Sequence, residues 1–202
     1  MGYSWIRTEV EEALRRIDGY VEKTPLVPSS WLSGMTGAEV FCKLENFQHT
    51  GSFKFRGALN KVLSLGTDSL KRGIVTASTG NHALAVARSL RITGSPGVIF
   101  VPENIETSKL LKIEEYGVDV RKFGTDNVDT EIHARAVAMD GGMTYISPYN
   151  DPMVIGGQGT IGAEIESVLP RADAVFASVG GGGLISGIAG YLKSGGRSPL
   201  IT

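Results

Sequence analysis

Gly73-Ile74-Val75-Thr76-Ala77-Ser78-Thr79-Gly80-Asn81-His82 runs a short apolar segment straight into a Ser/Thr/Gly turn and then into a helical pattern. The same order returns along the chain. Apolar runs stand at Val98-Ile99-Phe100-Val101, Val118-Asp119-Val120 and Met143-Thr144-Tyr145-Ile146, separated by helical patterns over 80–91, 105–116 and 127–139. Short strands alternating with helices of this length imply parallel βαβ units, covered on both faces. In such sheets ligands bind beyond the carboxyl ends of the strands. The turn Ser78-Thr79-Gly80-Asn81-His82 is therefore a candidate site. Ser78 and Thr79 can cap a helix, Asn81 can donate or accept, and a carboxylate could rest on the hydroxyls and free N–H groups. A plain helix cap with a turn glycine accounts for the same residues.

Upstream, Thr50-Gly51-Ser52-Phe53-Lys54-Phe55-Arg56-Gly57-Ala58 sets one lysine between two phenylalanines where a Gly/Ser turn passes into a helix. A lysine against apolar rings loses hydration of its charge, so its pKa tends to fall, and a neutral amine is what a carbonyl-trapping lysine needs. By itself the stretch also fits a lysine that lays its stem over apolar surface and keeps its ammonium in water. Downstream, Gly180-Gly181-Gly182-Gly183 follows the apolar strand Ala174–Val179 and precedes a helix at Leu184. Consecutive glycines let N–H groups converge on one point, and the helix start adds its positive end, so this arrangement can hold a phosphate. Gly157-Gln158-Gly159-Thr160-Ile161-Gly162 matches G-x-G-x-x-G, but Asp151-Pro152 stands where a strand is wanted, and no acidic residue lies at the required distance downstream. His49 and His133 lack partners at a metal-ligand spacing and read as surface or capping residues.

The 202 residues are 42% hydrophobic and 20% charged, with 27 glycines, which allows one large domain or two small ones. Net charge is −1 and the charges are well mixed, so no basic stripe for nucleic acid is present. No apolar run reaches membrane-spanning length, and the start lacks the regions of a signal peptide. Met1-Gly2 opens a myristoylation-like pattern that Ile6 breaks. The lone Cys42 excludes an internal disulfide and a cysteine metal cluster, and it fits a reducing cytoplasmic setting. Further elements are expected as helices at 7–17, from Ser30 to near Gly34, after Lys54 through Leu63, at 159–168 and at 184–193, with strands at 40–44 and 199–202. Ser147–Pro152 reads as a polar, proline-bearing crossing between domains.

Together, Thr50–Ala58, Ser78–His82, Val154–Ile165 and Val179–Ala189, with Glu22-Lys23-Thr24-Pro25-Leu26 and Lys43-Leu44-Glu45-Asn46, resemble the threonine/serine dehydratase and serine racemase group of pyridoxal-phosphate enzymes. The resemblance runs from about residue 20 to 195. It implies a two-domain α/β fold of the fold-type II, tryptophan-synthase-β-like kind. Residues 1–49 with 149–202 would then belong to the larger, cofactor-binding domain, and 50–148 to the smaller, substrate-side domain. By motif, Lys54 resembles the Schiff-base lysine and Phe53 the residue packed beside it. Asn81 resembles the partner of the cofactor's ring hydroxyl, and Gly180, Gly181, Gly182, Gly183 and Leu184 resemble the phosphate loop. Ser78, Thr79, Gly80, Asn81 and His82 resemble the loop that holds the substrate carboxylate.

The resemblance implies pyridoxal 5'-phosphate as cofactor, no metal on these residues, and a small hydroxy amino acid as substrate. It also implies a homo-oligomer without nucleic-acid or membrane partners. The implied activity is β-elimination from threonine or serine to a 2-keto acid and ammonia. Serine racemization is the alternative, although Thr79 stands where the racemases carry a serine thought to act as acid/base. A non-catalytic ligand-binding remnant is a further alternative. The family's chains continue beyond position 202, where the partner of the pyridine nitrogen and some members' metal site lie. A segment ending there is expected to be poorly soluble or oligomeric, and nearly inactive.

Overall fold

In chain order the elements are α1 (Ser4–Arg16), β1 (Leu26–Pro28), α2 (Ser30–Thr36), β2 (Phe41–Lys43), a 3-10 turn (Glu45–Phe47), α3 (Lys54–Leu63), α4 (Thr67–Arg72), β3 (Ile74–Ala77) and α5 (Asn81–Thr93). They continue with β4 (Gly97–Val101), α6 (Thr107–Glu114), β5 (Asp119–Lys122), α7 (Asn127–Asp140), β6 (Thr144–Tyr145), α8 (Pro152–Val168), β7 (Ala174–Val175), α9 (Gly183–Ser194) and β8 (Leu200–Ile201). This computed structural model describes residues 4–196 and 199–202; the readings made at Met1-Gly2 and at Ser198 lie outside them.

The central sheet is parallel, in the order β5-β4-β3-β6. Its inner strands β3 and β4 are apolar on both faces because both are covered, whereas the edge strand β5 is largely polar and exposed. Val98 and Phe100 of β4, with Val75 of β3, pack against Ala134 and Ala138 of α7. Ile99 and Val101 point the other way, onto Ala83 and Ala87 of α5 and Ile113 of α6. The chain leaves β3 toward β4 and β5, then returns to place β6 on the opposite edge of β3. Loops after β3 and β6 therefore diverge at this mouth, the switch point where open α/β sheets hold ligands. There are two smaller sheets, antiparallel β1-β2 and parallel β7-β8.

A separate helical layer packs α8 between α3 and α9, with α1 across them. Val10, Ile161, Ile165 and Ile188 form one buried cluster there. Another joins Ile17 and Val154 to Phe55, Leu59, Ile74 and Ala85.

Several expected boundaries move for local reasons. Helix α2 runs past Gly34 to a cap at Gly37, which takes a φ of 72° and bonds back to the Ser33 carbonyl. The strand expected over Ala174–Val179 holds its ladder for two residues only. Strand β1 and helix α4 were not foreseen.

The largest correction concerns α8. Asp151-Pro152 is a helix start, with the Asp151 carboxylate accepting from the N–H groups of Met153 and Val154 and Pro152 in the first turn. Gly157–Gly162 therefore lies inside a helix, which ends the dinucleotide reading. A Cβ on Gly157 would stand 2.6 Å from the Gly57 Cα, and one on Gly159 would stand 2.9 Å from the Gly187 carbonyl oxygen. The glycines let three helices approach backbone to backbone. Gly157→Ala is therefore expected to destabilise the protein by about 1–3 kcal/mol through overpacking. Gly34→Ala, with no atom near its Cβ position, should be neutral or gain about 0.5–1 kcal/mol. Urea unfolding midpoints of the two variants check the contrast; a Gly157→Ala protein as stable as its parent would contradict it.

Candidate active site

Lys54 opens α3, and the turn before it prepares that start. Gly51 holds a φ of 72°, a region that favours glycine, and its N–H bonds to the Gln48 carbonyl at 2.6 Å. Lys54 Nζ donates to the Pro148 carbonyl oxygen at 2.8 Å and lies 5.3 Å from the centre of the Phe53 ring. Burial lowers its pKa from the ordinary lysine value, the direction that a nucleophilic or basic amine needs. The lysine meets one ring and not two. Phe55 leaves the helix on another side and is fully buried in the core, because consecutive helical residues do not share a face.

The segment Ile146-Ser147-Pro148-Tyr149, which leaves β6, is where the three sequence motifs meet. From the first, Thr76 Oγ1 donates to the Ile146 carbonyl at 2.9 Å, and His82 Nε2 lies 3.2 Å from the same oxygen. A carbonyl only accepts, so Nε2 carries the proton and Nδ1 is bare. From the second, Lys54 reaches Pro148. From the third, a Cβ on Gly181 would fall 2.2 Å from a Tyr149 ring carbon, and one on Gly183 would fall 3.0 Å from the Tyr149 backbone. The glycine run can thus lie flat against Tyr149. Ser147 Oγ accepts from the Asn150 N–H at 3.0 Å and closes the segment into a turn.

Phe53 and Leu184 rest on the same buried cluster, so the starts of α3 and α9 stand on one core. Gly182 caps α9 with a φ of 81°, and no atom lies within 4 Å of a Cβ position on Gly180 or Gly182. That leaves an open cradle of N–H groups at a helix start, suited to an anion. Thr50 Oγ1, Ser52 Oγ and His82 Nδ1 are buried without a hydrogen-bond partner. Buried polar atoms are rarely left so, and two of these three lie within four residues of Lys54. A phosphorylated aldehyde suits this set, with its carbonyl for the amine and its phosphate for the cradle.

Ser78 and Thr79 are half-buried at the mouth of β3, while Gly80 and Asn81 are exposed there. His133 is not a capping residue: it lies inside α7, half-buried. It stacks on Phe123 with ring centres 3.6 Å apart and meets the edge of Phe100. His49 lies 3.4 Å from Glu22. Among the described residues no group of three or more His, Cys, Asp or Glu side chains is placed to hold a metal ion. Nor is any helix there long and apolar enough to cross a membrane. The sequence reading passed over Pro148 and Tyr149, treating 147–152 as a crossing. A Ser-Pro-Tyr run directly after a strand of a parallel sheet was the available signal.

A parallel sheet with a half-buried lysine of lowered pKa and an open glycine turn at one mouth has the parts that a carbonyl cofactor bearing an anionic group would need. The chain belongs to the family described as "Pyridoxal-phosphate dependent enzyme", whose profile matches residues 17–202. It is 44% identical over 188 residues to an L-threonine ammonia-lyase of Thermotoga maritima, covering 92% of this chain and 46% of that protein. Among solved structures, maize serine racemase superposes with a TM-score of 0.92 at 35% identity, covering 96% of this chain and 59% of that one. A pyridoxal 5'-phosphate-dependent aspartate racemase superposes with a TM-score of 0.86 at 36% identity, covering 93% of this chain and 58% of that one. The chain spans about half the length of the curated relatives it matches.

His82 provides a pH test. Burial, more than the nearby Lys54 charge, pushes its pKa down to about 4 from 6.5, and the bond to Ile146 opposes that shift. The unfolded chain binds the proton first, so stability falls as pH drops from 6.5 toward 4, by at most about 3 kcal/mol. Unfolding measured across that window should show a shallower acid loss for His82→Gln. An unchanged slope would contradict the placement of the imidazole.

Proposed function

We propose that the full-length protein is a pyridoxal-phosphate-dependent ammonia-lyase that converts threonine or serine to a 2-keto acid and ammonia. The observation that carries this reading is the Lys54 amine, half-buried, of lowered pKa, and tethered to Pro148 where the Ser78–His82 and Gly180–Gly183 loops converge. The identity to threonine ammonia-lyase supports the same reading. Residues 1–49 with 149–202, and residues 50–148, form its two parts, which meet at Pro148. A homo-oligomer belongs to the proposal: Trp31 and Met35, four residues apart on α2, are 71% and 67% exposed, a surface a second copy could cover.

In this reading the N–H groups of Gly180–Gly183 and the start of α9 hold the cofactor phosphate, and Phe53 and Tyr149 fix the walls beside it. Pyridoxal phosphate, when bound, supplies the electron sink that permits loss of the substrate Cα proton. Ser78, Thr79 and the free N–H groups at the start of α5 hold the substrate carboxylate and orient Cα. Lys54 Nζ, as a neutral amine, would take the Cα proton. Its bond to the Pro148 carbonyl uses one N–H and directs the lone pair elsewhere. A positioned base of this kind contributes on the order of 10²–10⁴-fold. Departure of the β-hydroxyl separates elimination from racemization. The latter needs a second proton-handling group, and position 79 offers a threonine.

The test is release of keto acid and of D-amino acid from L-threonine and L-serine by the full-length, cofactor-loaded protein and by Lys54→Ala. Keto acid should dominate, and the variant should lose at least about 10²-fold. D-serine formed as fast as pyruvate would favour the racemase. Undiminished activity in Lys54→Ala would remove the lysine from its role.

A further inference from the structure

A pocket of about 180 Å³ opens at the switch point, beside the lysine. Ser78, Thr79 and Pro148 line one side, and Asn127, Thr130 and Glu131 of α7 line the other. Pro148 carries the carbonyl that holds Lys54, so the pocket and the amine share a wall.

Glu131 is the one charged residue of this lining, and its side chain is mostly shielded. Arg135, one turn on, donates twice to Glu131 Oε1, at 2.7 and 3.0 Å. The guanidinium then lies over the Tyr145 ring, 4.1 Å from its centre, and outside the lining. The Thr130 hydroxyl is spent on the backbone of Phe123 and Asp126. The α7 wall thus presents a carboxylate and an amide, and no cation.

The fold itself does not decide which side chains are admitted, since an aspartate racemase shares it. We propose that this pocket is the side-chain subsite of the substrate and that Glu131 selects small uncharged side chains over those bearing a second carboxylate. This rests on the reading of Ser78–His82 as the loop that holds the α-carboxylate. A substrate so held projects its side chain toward either the Lys54 wall or the α7 wall, and both lie in the same small space. Arg135 offsets part of the Glu131 charge from outside the lining, but its guanidinium is engaged by Glu131 and Tyr145. No cation stands in the lining to receive a second carboxylate, which would therefore lose its hydration without gaining a partner.

The experiment is calorimetric binding of L-2-aminobutyrate and L-aspartate, neither of which has a β-hydroxyl to lose, to the full-length holoenzyme. Keto-acid release from threonine is measured on the same preparation. The parent should bind 2-aminobutyrate at least about tenfold tighter, equivalent to about 1.4 kcal/mol. Glu131→Gln should narrow that ratio about tenfold, whereas Arg135→Gln, which bares the carboxylate, should not narrow it. A ratio unchanged in Glu131→Gln, equal binding by the parent, or binding of neither amino acid overturns the subsite. Threonine turnover alongside an unchanged ratio overturns the subsite alone. A narrowed ratio without turnover supports the subsite and counts against the lyase.

Discussion

A guanidinium with no exposed surface must be paired, and the arrangement around Arg56 follows from that. Its Nε and Nη2 bond to Glu45 at 2.8 and 2.9 Å, and its Nη1 and Nη2 bond to Glu164 at 2.6 and 3.0 Å. A further bond from Nη2 reaches the Glu22 carbonyl at 3.0 Å. Lys43 pairs with the same Glu164, and the Thr24 hydroxyl donates to Glu45. Burial alone would lower the Arg56 pKa; the two carboxylates reverse this and raise it. Breaking one partner out of such a buried set costs about 3–5 kcal/mol. One cation therefore fastens the 22–24 segment, the end of β2, α3 and α8. Arg56 also stands two residues past Lys54, so the first turn of the lysine helix is held in one orientation.

The second constraint is topological. Because β6 returns to the far side of β3, the loops leaving these strands part at the sheet mouth and leave room between them. Ile146 and Pro148 turn their carbonyls into that room, where Thr76, His82 and Lys54 donate to them. The glycine cradle is brought there from another sheet because only glycine lets it lie on Tyr149. Pieces distant in sequence thus share one short backbone segment as their reference.

The alternation of short apolar runs with helices was enough to read the parallel sheet, since period and length are local properties. The lysine stretch and both loops were legible for the same reason. Residues such as Glu131 and Tyr149 were not, because their part depends on which strand lies beside β3, and no local pattern encodes strand order. Asp151-Pro152 misled in the opposite way. The pair reads as a break, yet the Asp151 cap and Pro152 in the first turn start a helix of 17 residues. The glycines inside that helix carry no propensity for it; they are explained by the backbones of Gly57 and Gly187 pressing against them. Tertiary packing overrode the intrinsic cost of glycine in a helix.

On the proposed reading, the fold holds Lys54 where a carbonyl cofactor would meet it. Borohydride reduction of the cofactor-loaded, full-length protein makes any lysine–cofactor bond permanent, and peptide mass spectrometry then locates it. The cofactor mass should appear on the peptide carrying Lys54 and be lost from that peptide in Lys54→Ala. Stoichiometric label on a different lysine, with Lys54 unmodified, would contradict the account.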